Sequence, residues 1–597
     1  MKDKTENRKS MLFAAVLSIV AITALVIVWQ SMAPFLIDND NIYLKTIASG
    51  EMTGTPEAHM YYMGFLSGLV LSTLYKITGN GIPWFGINLC ICFSVPMVLF
   101  LYKALASAKK LWTGAVIFIV FICSYISFFY HYFARSQYTI ATGFVAVGAL
   151  FLLTLSDESK DIKKYLLSCI PFLILSAWSI GMRDKAFFMT IPFFGMVFVG
   201  KIITKEKKKI VNVIASGCIF LAVIFLVWML DFLAYRSEDW QTFKDYTDVS
   251  ETLFDYEGFP DYDENISLYE ELGIKRSSYD AITKHYNIIM DPEVNGENFA
   301  RLAEESARER EAAEPSMVKK FFGVLKTIVR YNLFEYQDRP VNILVYLLYL
   351  SVFVLALISK KYRALLDLLF IVVARMFDWT YLVWYGRFPF RVTQIIYMAE
   401  LALLIALIIK YELWKLSVKK TDEEKTNVIK KIGVSPVFGI MLVLILAAGF
   451  RFGIPVMKKN YESIKGFREM SVCFSELEDY LFAHSENFYF FDMSHLYYME
   501  DTLSFEKSEY ENYVYMGGWM PKSPWYNNKM KAWGFDSPTE GLLERDNVYI
   551  LYQQVDFDTR DFLDYWFEEH FPGSRIEVKD TFTSSNGFVY EVLKPTY

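Results

Sequence analysis

The sequence predicts a mainly α-helical membrane protein, a polytopic transmembrane helical bundle of about eleven spans plus an interfacial helix, with a C-terminal extracytoplasmic α/β domain. The 597 residues are 54% hydrophobic and 17% aromatic, and apolar runs of about 20 residues, the length that crosses a bilayer, recur along the chain. Short basic linkers alternate with long acidic ones that are rich in aromatic residues, which is typical of a chain that crosses a membrane repeatedly.

The first apolar run follows four basic residues and lacks the small-residue cleavage site of a secretory signal, so we predict that it is retained as a span. The later spans follow from apolar length. The eleven predicted spans are residues 11–32, 84–102, 111–130, 137–155, 165–180, 185–200, 210–234, 340–358, 362–381, 392–410 and 433–450.

Segment 59–78 is apolar enough to be a further span, but the distribution of lysines favours an interfacial helix. If this segment does not cross, every basic linker falls on one side, which the positive-inside rule makes cytoplasmic. If it crosses, the N-terminal lysines lie opposite the others. We therefore predict a multi-pass protein of the cell membrane with a cytoplasmic N-terminus and an extracytoplasmic C-terminal domain.

This topology puts three polar regions on the outer face: the loop 33–59, an acidic, tyrosine-rich insert at 235–339, and the tail. The insert is long enough to be an ordered cap and contains a mostly charged helical stretch at 298–314. The tail has an amphipathic helical pattern and three strand-like runs. The predicted domains are a transmembrane domain over 1–450 and an α/β domain over 451–597, whose predicted elements are a helix at 461–483 and strands at 488–491, 548–552 and 588–592.

Asp38 and Asp40 follow the first span directly, where the chain meets water. Charge at such a depth is costly unless it is used. Two carboxylates with this spacing can hold one cation, or one can act as a general base beside the other. Acidic residues are also ordinary in an outer loop, so the pair alone does not define a site.

Fixed cations occur on outer turns, where the positive-inside rule expects few. Arginine's planar fork suits phosphate oxygens, and cations at headgroup level suit a lipid-linked phosphate or pyrophosphate. Pairing with headgroups or loop acids explains any single residue as well, whereas the whole set favours a site. The candidate phosphate ligands are His59, Arg135, Arg183, Lys185, Arg387 and Arg391.

These features together resemble the GT-C superfamily of membrane glycosyltransferases, which use polyprenyl-phosphate sugars. The resemblance covers residues 11–450 and rests on an Asp-x-Asp in the first outer loop, a Pro/His segment before an interfacial helix, and an arginine-bearing outer turn late in the bundle. A soluble domain after the last span also fits. The tail elements Gly517-Gly518-Trp519, Ser523-Pro524 and Asp546-Asn547-Val548-Tyr549 are similar to the tail of uncharacterised bacterial members.

The resemblance implies transfer of a hexosyl or pentosyl group from a polyprenyl-phosphate donor to an extracytoplasmic acceptor, which is a cell-envelope glycan, a lipid or a protein. Asp38 or Asp40 would match the family's acidic position. Cations would stabilise the leaving phosphate, and a carboxylate would take the acceptor's proton, giving inversion in a direct displacement. No cofactor is certain, a divalent cation at Asp38 and Asp40 stays open, and no nucleic-acid partner is expected.

Two other functions compete with this one. A glycopolymer polymerase or ligase usually carries its catalytic groups in a large late loop. The long loop here lacks an arginine-histidine cluster, since His285 is its only histidine, which disfavours this class. A transporter or flippase of lipid-linked sugars predicts ionisable residues near the middle of the spans. The sequence instead indicates charges at the outer ends of spans, which favours the enzyme.

Overall fold

The structure is a computed structural model of the chain. Asp38 and His285 lie outside the residues that it describes, so neither prediction about them is tested. The described residues are 2–32, 34–36, 39–108, 110–203, 206–284, 290–313, 316–334, 337–415, 435–491, 500–505, 511–554 and 559–596.

Helices dominate the chain up to the insert. In order, the elements are α1 (Lys2–Gln30), β1 (Phe35–Leu36), α2 (Asn39–Ser49), α3 (Phe65–Thr78), α4 (Trp84–Ser107), α5 (Leu111–Ala134), β2 (Arg135–Ser136), α6 (Tyr138–Thr154), α7 (Ile162–Met182), α8 (Asp184–Phe188), α9 (Ile191–Ile202) and α10 (Lys207–Ala234).

The second half begins with the insert and ends in a sheet. Its elements are α11 (Glu238–Thr252), α12 (Ile266–Glu271), α13 (Arg276–Thr283), α14 (Gly296–Ala313), α15 (Met317–Phe334), α16 (Val341–Ile358), α17 (Tyr362–Trp384), α18 (Phe390–Lys410), α19 (Pro436–Ala448), α20 (Ile454–Ala483), β3 (Phe488–Phe491), β4 (Tyr513–Tyr515), α21 (Pro524–Ala532), α22 (Pro538–Glu544), β5 (Val548–Gln553), α23 (Thr559–His570), β6 (Arg575–Thr583) and β7 (Val589–Thr596).

Nine helical stretches among the described residues are long and apolar enough to cross a membrane. They lie in α1, α4, α5, α7, α8–α9, α10, α16, α18 and α19–α20, and each coincides with a predicted span. The two other predicted spans coincide with α6, a shorter apolar helix, and with α17, which carries four charged residues. The prediction of an apolar helical membrane protein is confirmed, and the count of eleven spans stays a prediction.

Helix α6 forms the centre of the bundle and packs against α4, α7 and α18. Its side chains are buried along nearly the whole helix. The small residue Gly143 allows the close approach of α18, because a Cβ at this position would lie 2.6 Å from Cγ1 of Ile395. This packing fixes Tyr138, the first residue of α6, beneath the loops that follow α1 and α7.

One end of the bundle carries the loop after α1 and the C-terminal region, and we call it the capped end. It includes residues 34–36, 39–49, 135–138, 182–184 and 390–394. Strands β1 and β2 pair there in parallel, with Phe35 opposite Arg135. Asn41 of α2 accepts a hydrogen bond from the backbone N–H of Tyr138 at 3.1 Å. The first loop is thereby attached to the ends of α5 and α6.

Helix α3 begins and ends at the capped end. At its start, the backbone N–H of Gly64 donates to the carbonyl of Met182 at 3.2 Å. At its other end, the hydroxyl of Tyr75 accepts from the backbone N–H of Phe85, at the start of α4. Its 14 residues span about 21 Å, less than the roughly 30 Å of a hydrocarbon core. The placement of α3 in the membrane interface stays a prediction.

The insert contains helices α11–α15 and has an aromatic core. Tyr246 and Phe259 both pack on Phe299 of α14, with ring centroids 5.7 and 5.5 Å away. The charged helical stretch predicted at 298–314 corresponds to α14, whose Phe299 and Leu302 are buried. Aromatic burial therefore orders this acidic region over the capped end.

The C-terminal region contains a five-stranded mixed sheet with the order β4-β3-β5-β7-β6. Strand β3 runs parallel to β4 and β5, whereas β7 runs antiparallel to β5 and β6. The three predicted strands correspond to β3, β5 and β7, while β4 and β6 were not predicted. Helices α19 and α20 are joined by a π-helical turn at Gly449–Gly453, so helical structure runs through the predicted domain boundary at residue 450.

The C-terminal region docks onto the first loop through backbone bonds and a buried ion pair. The backbone N–H of Leu36 donates to the backbone carbonyl oxygen of Glu500 at 2.8 Å, and the backbone N–H of Thr502 donates to the carbonyl oxygen of Pro34 at 2.7 Å. Lys45 of α2 forms an ion pair with Glu500, and its side chain is only 3% exposed. Residues separated by more than 450 positions therefore build one surface at the capped end.

Candidate active site at the capped end

Asp40 lies in the first turn of α2, where the helix dipole favours a carboxylate. Its Oδ1 accepts a hydrogen bond from the indole N–H of Trp519 at 3.1 Å. Trp519 belongs to the Gly-Gly-Trp element of the tail and packs edge-on against Tyr43, one turn further along α2, at 5.6 Å. The C-terminal region thus orients the carboxylate that the sequence predicts to be catalytic.

Arg183 lies in the short turn between α7 and α8. Its guanidinium is 5.5 Å from the ring centroid of Tyr62 and 5.0 Å from that of Tyr138. Nη1 is buried and has no hydrogen-bond partner among the described residues. Arginine stays charged in proteins, so this N–H donor can receive an anionic ligand.

Asp40 and Arg183 share one electrostatic environment. Burial lowers the pKa of the Arg183 guanidinium, and the negative charge of Asp40 acts in the opposite direction. Tyr62 links Arg183 to Trp519, the hydrogen-bond donor to Asp40. Its ring contacts the Arg183 guanidinium and packs edge-on against Trp519 at 4.7 Å. The structure therefore brings together two of the predicted site residues, an acid and a cation, across an aromatic wall.

A cleft of about 220 Å³ opens beside Arg183. Its rim includes Trp228 and Phe232 of α10, which are about half exposed on the outside of the bundle. The opposite wall belongs to α11 of the insert, so the cleft joins an apolar rim to a strongly polar interior. Its lining residues are Tyr61, Tyr62, Gly64, Arg183, Asp184, Lys185, Trp228, Asp231, Phe232, Tyr235, Gln241, Lys244, Asp248 and Glu251.

Lys185, a predicted phosphate ligand, lines this cleft and pairs with Glu251 at 2.6 Å. The lysine is 61% exposed, so the pair is solvated and weak. Burial raises the pKa of Asp248 on the same wall. The cleft therefore holds both cations and carboxylates, and Lys185 can exchange its partner for a ligand at small cost.

The other predicted arginines lie in different surroundings. Arg391, in the first turn of α18, is close enough to Arg183 for its charge to lower the pKa of that guanidinium. Arg387 forms an ion pair with Asp255 of the insert and lies 5.2 Å from the ring centroid of Tyr256. Arg135 is exposed on β2. Arg391 therefore lies near Arg183.

His59 lies in an aromatic cluster rather than beside Arg183. Its Nδ1 is 2.7 Å from Oε1 of Glu57, and its ring stacks on Trp240 at 5.4 Å. Hydrogen bonds from His59 and from two backbone N–H groups outweigh burial and lower the pKa of Glu57 to about 2. The imidazole holds the first loop against the insert, and phosphate binding by His59 stays a prediction without geometric support.

Asp338 is a buried carboxylate at the capped end that was not singled out from the sequence. Its Oδ1 accepts from Thr393 Oγ1 at 2.6 Å and from Gln394 Nε2 at 2.8 Å. Burial raises the pKa of Asp338 to about 6, although both hydrogen bonds act in the opposite direction. Like Asp38 and Asp40, Asp338 lies at the end of a predicted span. This position was the feature of the sequence that could have identified it as a site residue.

Charged residues also occur inside the bundle, contrary to the expectation that they gather at the outer ends of spans. Arg375 of α17 forms an ion pair with Glu400 of α18, which is fully buried. Asn332 and the hydroxyl of Tyr346 accept further hydrogen bonds from the guanidinium. Tyr349 donates to Glu400 at 2.9 Å. Mutual pairing offsets the burial of both charges, which is why apolar helices can carry them.

A cation site at the Asp-x-Asp cannot be assembled from the described carboxylate alone. Among the described residues, no group of three His, Cys, Asp or Glu side chains is arranged to hold a metal ion. Asp40 already accepts a hydrogen bond from Trp519. Metal dependence stays an open prediction.

Comparison with protein-family models, with curated proteins and with solved structures finds no match for this chain. The similarity to the GT-C superfamily therefore stays an expectation drawn from the sequence pattern.

Proposed function

We propose that the protein is an integral membrane glycosyltransferase that moves a sugar from a polyprenyl-phosphate-linked donor to an acceptor at the capped end. One observation carries the proposal: Trp519 donates a hydrogen bond to Asp40 and packs on Tyr62, whose ring in turn contacts Arg183, and Arg183 lines a cleft with an apolar rim. A half-buried cation and a carboxylate, linked through these two rings, are the two kinds of group that displacement of a phosphate from a sugar requires.

The donor's phosphate would bind at Arg183. As the bond between the anomeric carbon and the phosphate oxygen breaks, negative charge grows on that oxygen, and a guanidinium in a water-poor site stabilises it. Lys185 and Lys244 line the same cleft and add positive charge. The exposed aromatic rim on α10 lies where a polyprenyl chain would leave the bundle for the lipid.

The acceptor hydroxyl would lose its proton to Asp40. The new bond forms between the acceptor oxygen and the anomeric carbon while the polyprenyl phosphate leaves, so the displacement inverts the configuration. Trp519 keeps the Asp40 carboxylate oriented. Asp38 is the alternative base.

In this proposal the capped end is extracytoplasmic and the α3 helix lies in the outer interface. The positive-inside rule supports this orientation, because the basic linkers then lie on the opposite side. The acceptor is accordingly a cell-envelope glycan, a lipid or a protein outside the cytoplasm, and the protein resides in the cell membrane.

The test compares Asp40→Asn, Asp38→Asn and Arg183→Gln with Asp239→Asn, a control carboxylate exposed in the first turn of α11. Each full-length variant replaces the native protein in cells, and mass spectrometry quantifies polyprenyl-phosphate sugars and envelope glycans. Loss of a general base costs about a hundredfold or more in rate, so one donor should accumulate and one glycan should disappear in Arg183→Gln and in the variant of the true base. Normal glycans in all three site variants would overturn the proposal.

A binding measurement separates donor recognition from chemistry. In nanodiscs, a polyprenyl phosphate should raise the unfolding midpoint of the wild-type protein, while the polyprenol of equal length should not. Arg183→Gln should lose this difference and Asp40→Asn should keep it. Equal shifts by phosphate and alcohol would contradict phosphate binding at Arg183.

Transport of a lipid-linked sugar is the second candidate, because Arg375 and Glu400 are buried within spans. The pair is closed by its own hydrogen bonds with Asn332, Tyr346 and Tyr349, which favours a structural role. A transporter predicts that Glu400→Gln abolishes movement of a lipid-linked sugar across reconstituted vesicles while Asp40→Asn preserves it. The glycosyltransferase predicts loss of function in the Asp40 variant.

A further inference from the structure

We propose that α15 is a tilted helix at the membrane boundary whose outward side binds anionic phospholipids of the leaflet at the capped end. The helix is the last part of the insert before α16. This inference does not depend on the proposed glycosyl transfer.

The charge of α15 contrasts with that of the helix before it. Its sequence, MVKKFFGVLKTIVRYNLF, has four basic residues and no acidic one. The preceding α14, GENFARLAEESAREREAA, has five acidic and three basic residues. Helix α15 is therefore a cationic and apolar element at the end of an acidic insert, and this composition is typical of helices that bind membrane surfaces.

Three separate sides run along α15. One side faces the bundle and buries Val324, Ile328 and Tyr331. A second side is an outward apolar row whose members follow one another at intervals of three or four residues, so they lie on one face of the helix. The apolar row consists of Val318, Phe322, Leu325, Val329 and Leu333.

The apolar row is open rather than covered. Val318 is 66% exposed, Phe322 65%, Val329 56% and Leu333 61%. Such a contiguous exposed apolar stripe is unusual on a surface that faces water. A cation row runs beside the apolar row, on the adjacent face of the helix. It consists of Lys319, Lys326 and Arg330, which are all exposed and lie within eleven positions of one another.

Contacts with α17, a predicted span, indicate that α15 crosses the membrane boundary at a tilt. Near its start, Nζ of Lys320 lies 4.8 Å from the ring centroid of Trp384, the last residue of α17. Near its end, Asn332 accepts a hydrogen bond from Arg375, nine residues or about 14 Å below Trp384 along α17. The helix therefore descends beside a membrane helix, and its apolar row reaches the level of the lipid chains.

The arrangement fits phospholipid headgroups better than one bound phosphate or a protein. The cation row extends over about 16 Å of helix, so its charges do not converge on a single anion. Long basic side chains next to an apolar row can extend to the headgroup phosphates while their stems stay in lipid. Anionic headgroups supply the matching charge at the membrane boundary, which the row crosses.

Photo-crosslinking in nanodiscs tests the assignment with the full-length protein. Phosphatidylglycerol and phosphatidylcholine probes, each with a diazirine in the acyl chain, are crosslinked separately, and mass spectrometry maps the labelled peptides. The variant Lys319→Gln/Lys326→Gln/Arg330→Gln removes the cation row. The control Lys531→Gln/Lys579→Gln/Arg575→Gln removes the same number of lysines and arginines from exposed positions of the C-terminal region.

Each basic side chain near an anionic surface contributes about fivefold in binding. We expect the phosphatidylglycerol probe to label residues 318–333 at least about fivefold more than the phosphatidylcholine probe in the wild-type and control proteins. The ratio should approach one in the cation-row variant. Equal labelling by both probes in the wild type, an unchanged ratio in the variant, or no label on the apolar row would each overturn the proposal, the last by indicating a protein partner.

Discussion

The indole N–H of Trp519 donates a hydrogen bond of 3.1 Å to the carboxylate of Asp40, 479 positions earlier in the chain. The two residues come from different parts of the molecule, α2 in the first loop and the tail near β4. The bond connects the predicted catalytic carboxylate to the C-terminal region, so this region is part of the site rather than an appendage.

Replacing Trp519 by Phe should slow sugar transfer at least about tenfold, because a hydrogen bond to a charged group is worth about 1.5–3 kcal/mol. Phe keeps a ring beside Tyr43 and Tyr62. Quantifying the glycan product in cells checks this, with Trp533→Phe, a residue that packs on Phe488, as the matched control. An unchanged rate in Trp519→Phe would show that the bond does not orient Asp40.

Replacing Lys45 by Met should destabilise the docked C-terminal region by roughly 3 kcal/mol, because Glu500 then stays as a partly buried charge without its main counter-ion. Thermal unfolding in detergent measures the change. The double variant Lys45→Met/Glu500→Gln should recover part of the loss, and equal destabilisation of single and double variants would contradict the role of this ion pair.

Stability should fall as the pH rises through the titration of Asp338. Its pKa rises from 3.8 to about 6 in the folded protein, so the folded state binds this proton more tightly than the unfolded state does. Between pH 4 and pH 6 the free energy of unfolding therefore falls by about 3 kcal/mol, which corresponds to the difference of about 2 between the two pKa values.

The variant Asp338→Asn keeps an oxygen acceptor for Thr393 and Gln394 and removes the titration. Its unfolding midpoint should exceed that of the wild type at pH 7, and the difference should shrink toward pH 4. A difference that is constant over this range would rule out Asp338 as the titrating group.

Replacing Gly86 by Ala should weaken the contact between α4 and the C-terminal region. A Cβ at this position would lie 1.8 Å from the backbone oxygen of Thr502, so the backbone has to shift, at a cost of about 1–3 kcal/mol. Gly81→Ala is the control, because no described atom lies within 4 Å of a Cβ there. Similar unfolding midpoints for both variants would contradict this close contact.

Single cysteines at residues 79–83 should react with a membrane-impermeant maleimide added outside intact cells, because the proposed topology leaves α3 at the outer interface. A cysteine at Ser159, in the linker between α6 and α7, should react only after the cells are opened. Reaction of residues 79–83 from the cytoplasmic side alone would make segment 59–78 a span.

The sequence was sufficient for elements whose signal is local. Apolar length located the membrane helices, and runs such as Phe488–Phe491 located buried strands. Strand β6 escaped prediction because it is a mostly exposed edge strand, and Asp580, at its β-bulge, interrupts the apolar row of Ile576, Val578 and Phe582. Strand β4 is only three residues long, too short for a periodicity to be seen.

The candidate site could be predicted only as a set of residues on one face. Asp40 and Arg183 belong to separate loops, and nothing in either loop shows that Tyr62 and Trp519 connect them. Arg375 and Glu400 were missed because both lie inside runs that are apolar enough to be predicted as spans, and their pairing depends on the packing of α17 against α18. Three-dimensional neighbours of this kind leave no local trace in one sequence.

The bond between Asp40 and Trp519 also has a consequence for biosynthesis. A ribosome that adds roughly 5–20 residues per second needs on the order of 24 to 96 seconds to extend the chain from one partner to the other. During that interval α1 and α2 exist without the tail, and the carboxylate lacks its indole donor. If Asp40 is the base of the proposed transferase, it therefore acquires its indole donor only after the last membrane helix has been made.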